Sequence, residues 1–269
     1  MKPTSRGELT PDRRVPITRI APPARAAHAV RHIWIVEWDL PPGEVLHQAA
    51  LSYPALNIVA EPDRLAVYGP TTAASTRTLE GRGWAVGVLL RPAATPLFTD
   101  RPATFANGER DLDEPALHAA VRAAMGRPHA AGARPAAARP AATRHAEASG
   151  AVVRWVVERM PAADARGLEA NRMAEIADSE PGLLRVPDLA AAMGASVRTL
   201  ERLAADYFGP TPAAIMRRRR IQVAAERLRI EPDAALADLA QELGYADQPH
   251  LTRDFRAVLG MTPREYTAR

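Results

Sequence analysis

Along the first 28 residues polar and apolar positions follow no period. Pro, Thr, Ser and Arg dominate, and the stretch reads as a disordered basic arm. The pattern then changes. In "HIWIVEW" (32–38) alternate positions fall on opposite faces, Ile33, Ile35 and Glu37 on one and Trp34, Val36 and Trp38 on the other. "ALNIVAE" (55–61), "RLAVYG" (64–69) and "WAVGVLL" (84–90) are equally short and bounded by Pro, Gly or Asp. "EPDR" (61–64), between two of them, has the residues of a hairpin turn. Residues 29–125 therefore read as a small β-rich domain that ends in a helix, "EPALHAAVRAAM" (114–125). Residues 126–150 hold Ala, Pro, Arg and Gly with almost no bulky apolar side chain, as a linker would.

From 151 to 269 the spacing is helical. "AVVRWVVERM" (151–160) sets Val152, Trp155, Val156 and Met160 on one face. The next segment, 163–178, places Leu168, Met173 and Ile176 inward. The fold class is thus α+β and multidomain, with a small β-rich domain followed by an all-α domain.

The last 84 residues contain an internal repeat. "LAAAMG" (189–194) aligns with "LAQELG" (239–244), and "LERLAADYFGPTP" (200–212) with "LTRDFRAVLGMTP" (251–263). Each unit is a short amphipathic helix closed by Gly, a tight connection, and a second helix that stops near Gly before a Thr-Pro pair. That is a helix-turn-helix layout, expected over about 186–209 and 236–260, whose second helix can lie in a major groove. Ser196 and Asp247 are placed to cap the second helices, with Pro249 in the first turn. Between the units, "TPAAIMRRRRIQVAAERLR" (211–229) predicts a helix capped by Thr211, a rod of about 27 Å. Two second helices on such a rod could meet successive major grooves, whose spacing is about 34 Å.

Charge changes this picture little. The chain carries 35 Lys+Arg against 31 Asp+Glu, a formal +4, yet residues 186–269 hold 12 Arg and 11 acids. Placement matters more than total. Arg198 and Arg202 lie on one second helix, Arg253 and Arg256 on the other. Arg217 to Arg220 are consecutive, so at 100° per residue they cannot all face one way. The absence of Cys excludes disulfides, thiolate metal sites and cysteine nucleophiles. His28 and His32 lie in an arm entering a strand, and Asp111, Asp113 and Glu114 read as a turn and helix cap. There is no nucleophile elbow, phosphate-binding Gly loop or His-Glu-x-x-His, so neither a catalytic residue nor a metal or other cofactor is expected. No apolar run is long enough to span a membrane and no signal peptide is evident, which makes the cytoplasm, on the nucleoid, the expected location.

"SVRTLERL" (196–203), "RIQVAAERL" (220–228) and "LADLAQELGYADQPHLTRDFRAVLGMTPREY" (236–266) carry a resemblance to the DNA-binding domain of the AraC/XylS family of bacterial transcription regulators. The resemblance covers roughly 165–269 and implies seven helices holding two helix-turn-helix units. It implies base contacts from Arg198, Glu201 and Arg202 in the first unit, and from Gln248, Pro249, Thr252 and Arg253 in the second. Ser196, Thr199, Arg217, Arg220, His250 and Arg256 are the corresponding candidates for phosphates. Three positions depart from the family pattern. Glu201 replaces a common Gln and can only accept, Pro249 has no donor, and Ala204 replaces an aromatic. The segment 30–110 looks like the β-rich domain that precedes this module in a subset of the family, with a sensory or dimerising role. Trp34, Trp38, His47, Asn57, Tyr68 and Arg91 are candidates for lining an effector cavity there, or for ordinary core and surface positions. The expected function is sequence-specific regulation of transcription on double-stranded DNA. RNA polymerase, a small-molecule effector and a second copy of the chain are candidate partners. The alternatives are a protein-interaction module and a DNA-targeted enzyme with its chemistry in the β-domain.

Overall fold

The computed structural model describes residues 14–51, 53–71, 73–126, 139–160, 162–179 and 182–268. The expected arm therefore falls partly outside the described residues, as do residues 127–138 of the expected linker. The part of the arm that is described is not disordered. Ile17–Ile20 forms strand β1, whose residues pair antiparallel with Ile33–Val36 of β2 (Val30–Asp39). The sequence pattern missed it because four residues are too few to display a period.

Six strands form one antiparallel sheet in the order β1-β2-β7-β4-β5-β8, where β4 is Asn57–Ala60, β5 Leu65–Tyr68, β7 Arg82–Leu90 and β8 Glu109–Asp111. Strands β3 (Val45–Ala50) and β6 (Ser75–Glu80) pair separately as a two-stranded ribbon. The 61–64 turn closes as expected, with the Glu61 amide donating to the Arg64 carbonyl. The alternation in β2 sorts its side chains onto two cores. Ile33 and Ile35 join Ile58, Val67, Val86 and Val88 on one face of the sheet. Trp34, Val36 and Trp38 meet Val59, Tyr68 and the ribbon residues Leu46 and Leu79 on the other. Trp34 pairs with Gly87 and Trp38 with Gly83 across the β2–β7 ladder. A Cβ on Gly87 would stand 1.8 Å from the Trp34 ring, so the indole occupies the space that glycine leaves.

The first face is covered by α1 (Pro115–Met125) and α2 (Ala141–Arg159). Helix α2 begins ten residues before the expected start at 151, inside the expected linker. After Pro140 the run is Ala-rich and free of Pro, which favours helix. Arg144 and His145 both donate to the Glu37 carboxylate on β2, which draws this first half of the helix onto the sheet. Val152, Trp155 and Val156 are buried as expected, but against the β-domain rather than the C-terminal helices. By packing, α2 thus belongs to the N-terminal domain.

The remaining α-helices among the described residues are α3 (Ala165–Ser179), α4 (Val186–Met193), α5 (Val197–Tyr207), α6 (Pro212–Ile230), α7 (Leu236–Glu242), α8 (Gln248–Leu259) and α9 (Pro263–Thr267). Leu168 corrects the pattern reading, being 49% exposed. The buried face of α3 is instead Gly167, Ala170, Asn171, Met173, Ala174 and Ala177. Small residues are needed because α3 lies close against the β-domain. A Cβ at Gly167 would come within 3.0 Å of the Ala93 Cβ. Asn171 secures this contact by accepting from the Ala93 amide and donating to the His28 carbonyl.

Two outcomes test these placements. Gly87→Ala should destabilise the chain by about 1–3 kcal/mol in urea unfolding, through overpacking against Trp34. His32 on β2 has its pKa lowered to about 4 by burial and by Arg19 and Arg31. Between pH 6.5 and 4 the unfolded chain binds a proton that the folded chain refuses, so stability falls as pH drops through that window. In His32→Gln this part of the pH dependence should disappear.

Candidate nucleic-acid interface

The two helix pairs form where local chemistry directs. Helix α4 ends at Gly194 (φ 66°) and α8 at Gly260 (φ 75°), both in the left-handed region that closes helices. Ser196 accepts from the Thr199 amide at 3.1 Å and starts α5. Asp247 accepts from the His250 amide at 2.7 Å and starts α8. Thr211 accepts from Ala214 and starts α6, with Pro212 at its first position. The 19 residues of α6 give a rod of about 28 Å between the two pairs.

Each second helix buries one strip and presents another. Helix α5 buries Leu200, Leu203, Ala204 and Tyr207, with Phe208 filling the core beside the small Ala204. Its exposed strip holds Arg198, Glu201 and Arg202, with Ser196 at the cap also exposed and Thr199 half-buried. Helix α8 buries Leu251, Phe255, Val258 and Leu259. Its outer strip holds Pro249, Arg253 and Arg256, all exposed, with Gln248 and Thr252 half-buried at its edge. Of the seven residues expected at bases, Arg198, Glu201, Arg202, Pro249 and Arg253 are exposed on two strips, one per unit, and Gln248 and Thr252 are half-buried beside the second.

The arginine run of α6 divides, as its 100° steps require. Arg217 and Arg220 turn toward α8 and stand 3.9 Å from the Asp254 carboxylate. Arg220 also lies over the Tyr245 ring at 4.5 Å, and His250 meets the same ring edge-on at 5.0 Å. These charges hold α8 to the rod, and burial raises the Tyr245 hydroxyl pKa well above its usual range. Arg218 and Arg219 face the other way and are each 5% exposed.

Arg218 meets the β-domain. Its Nη2 donates to the Leu51 carbonyl at 3.0 Å, and its guanidinium stacks over Tyr53 at 5.6 Å. Tyr53 also donates from Oη to the Ala174 carbonyl on α3 at 2.9 Å and carries Arg31 on its ring at 4.3 Å. Leu51 itself is buried in the core of the second unit, among Ile221, Leu228 and Phe255, while Tyr53 packs on the core of the first. One loop, between β3 and β4, thus touches both units and the rod that joins them. The Ala74 amide, ahead of β6, donates to the Val258 carbonyl on α8 at 2.6 Å. Sequence reasoning missed Leu51, Tyr53, Arg218 and Asp254. Nothing in the spacing of 51 and 53 refers to a residue 165 positions away, and only the surplus of arginines on α6 hinted that some were structural.

The six cavity candidates divide as well. Trp34, Trp38, Asn57 and Tyr68 share the face of the sheet that looks toward the ribbon, where Trp34 Nε1 donates to Asn57 Oδ1 at 3.2 Å. The Tyr68 Oη is buried there with no hydrogen-bond partner, and Arg77 lies over its ring at 4.9 Å. His47 sits exposed on β3, 3.3 Å from the Thr78 hydroxyl. Arg91 is elsewhere, paired with Glu175 of α3. Among the described residues no group of three or more His, Asp or Glu is placed to hold a metal ion, and no helix is long and apolar enough to cross a membrane.

Two capped helix pairs on a shared rod, each with an arginine-bearing outer strip, define a double helix-turn-helix domain. A family model described as a helix-turn-helix domain matches residues 189–269, and one described as a domain of unknown function (DUF6597) matches 18–110. An AraC-like transcription regulator of Streptomyces lividans is 38% identical over 81 residues, covering 30% of this chain and 26% of that protein. The transcriptional activator NphR of a Rhodococcus species is 34% identical over 83 residues (31% and 24%), and the regulator ExsA of Pseudomonas aeruginosa 29% over 79 (29% and 28%). Through its C-terminal domain the chain is similar to AraC-like transcription regulators. It spans about a quarter of the length of the curated relatives it matches. The ToxT structure from Vibrio cholerae aligns over 88% of this chain and 97% of that one, at 8% identity and a TM-score of 0.42.

Tyr53→Phe removes only the hydroxyl that joins the β3–β4 loop to α3. It should cost about 1 kcal/mol in unfolding measurements and raise amide exchange in α3 and α6 before that in the β-sheet.

Proposed function

We propose that the chain is a transcription regulator that binds double-stranded DNA by sequence, reading two successive major-groove segments with α5 and α8. The observation that carries this is the repetition itself. Two independently capped helices, with no sequence identity demanded by the core at their outer positions, each present Arg and hydrogen-bonding side chains to solvent from one rod. Arg202 and Arg253, at equivalent positions, suit bidentate contact to guanine. Gln248 suits adenine, and Glu201 suits cytosine N4 or the orientation of Arg202. Ser196, Thr199, Arg256 and the two helix N-termini are the nearest candidates for phosphates. Arg217, Arg220 and His250 serve there only to the extent that they leave Asp254 and Tyr245.

The N-terminal domain fits a sensory role. The buried, unpartnered Tyr68 hydroxyl beside Trp34, Asn57 and Arg77 favours a small effector with a hydrogen-bond acceptor, seated between sheet and ribbon. Both strands leave one end of the ribbon into segments that touch the helices, at Leu51 and Tyr53 and at Ala74, which is the route by which occupancy would bear on DNA reading. Activation of transcription would call on contact with RNA polymerase, and pairing of two copies would double the site. Sedimentation of the chain with duplex counts those copies.

Selection from random duplexes by the full chain tests the reading. The recovered motif should contain two half-sites, and affinity should fall linearly with salt on logarithmic axes. Arg253→Ala should weaken the preferred site by about 1–3 kcal/mol and relax one base position. Equal weakening on every sequence would refute the groove assignment.

A further inference from the structure

We infer that Val197 is a specificity-determining residue that reads the 5-methyl group of a thymine in the first half-site. This rests on the DNA-reading role proposed above and adds a contact that neither motif nor family resemblance indicated.

Val197 is the first residue of α5, directly after the Ser196 cap. Its side chain is 38% exposed, one of five large hydrophobics so exposed among the described residues. The other four, Val45, Leu97, Leu168 and Ile230, lie outside both outer strips. The core of the first unit does not require it, because Leu200, Leu203, Ala204 and Tyr207 complete the buried face of α5. At 100° per residue Val197, Arg198, Glu201 and Arg202 fall within an arc of about 140°. The valine therefore sits on the strip that faces the groove.

The repeat supplies the second observation. The caps Ser196 and Asp247 make the same bond to the third residue of their helices, which sets Val197 opposite Gln248 and Arg198 opposite Pro249. Each unit thus begins with one apolar and one polar side chain, in opposite order. In α8 the pair is Gln then Pro; in α5 it is Val then Arg. Gln248 is a position expected at a base, so its equivalent is within reach of one. At that depth of the major groove the 5-methyl of thymine is the one apolar group a base edge presents. A branched, χ1-restricted side chain held by a capped first turn meets it with little loss of rotamer freedom.

The test uses the full chain and the duplex recovered by selection, with each thymine of the first half-site replaced in turn by uracil, which lacks only the methyl. One thymine should show about a fourfold loss of affinity, the scale of burying one methyl-sized group. In Val197→Ala, exposed and outside the core, that loss should shrink toward unity while thymine-to-uracil changes elsewhere keep their effect. 5-Methylcytosine at that position should recover part of the methyl contribution over cytosine. If no uracil substitution weakens binding, or if the penalty is the same in Val197→Ala, the inference is overturned. Failure of the folded chain to bind any duplex would instead overturn the DNA-reading role, and this inference with it.

Discussion

The structure turns on a buried arginine. Arg218 sits at the middle of the rod that joins the two helix-turn-helix units, and it is satisfied by groups from the other domain, the Leu51 carbonyl and the Tyr53 ring. Burial lowers its pKa to about 10, which still leaves it charged at neutral pH. A buried charge is tolerated only while its partners are in place, and removing one leaves a desolvated ion. The geometry of α6 is therefore tied to the β3–β4 loop. Separation of the domains would expose Arg218 to water and empty the position of Leu51 in the second unit's core. The two halves of the chain are joined by a specific contact, not merely by the segment that connects them.

What was legible in the sequence was local. Ser196, Asp247 and Thr211 cap the helices they precede because their oxygens need reach only three residues along the chain. The alternation of Ile33–Trp38 sorted onto two cores because a strand's faces depend on parity alone. The repeat made the paired outer strips visible before any coordinate, since equivalent positions recur about fifty residues apart. Where side chains were small or partners distant, the pattern was silent. Helix α3 buries Gly and Ala while Leu168 faces solvent, because close approach to the β-domain selects against bulk. Helix α2 extended into an Ala-rich stretch whose attachment runs through Glu37, more than a hundred residues earlier. Of the cavity candidates, four came to one face, but Arg91 was claimed by Glu175 on a helix whose contact no spacing announces.

Arginine illustrates the same division. In a chain whose basic residues are almost all Arg, abundance says little about role. Arg218 ties two domains, Arg217 and Arg220 face an acid on α8, and Arg144 pins α2 to the sheet. Those left on outer strips, Arg198, Arg202, Arg253 and Arg256, are few, and they occupy positions the repeat makes equivalent or adjacent. Near-neutral net charge in the helical domain is thus compatible with DNA reading, because the placement of these arginines on the strips matters more than the domain total.

The central claim, that two strips on one clamped rod read two successive grooves, is tested most directly by guanine-methylation footprinting on the selected duplex. Two protected major-groove patches about 10 base pairs apart on one face are expected. Arg202→Ala should lose one patch and Arg253→Ala the other. A single patch sensitive to both substitutions, or two patches on opposite faces, would contradict the account.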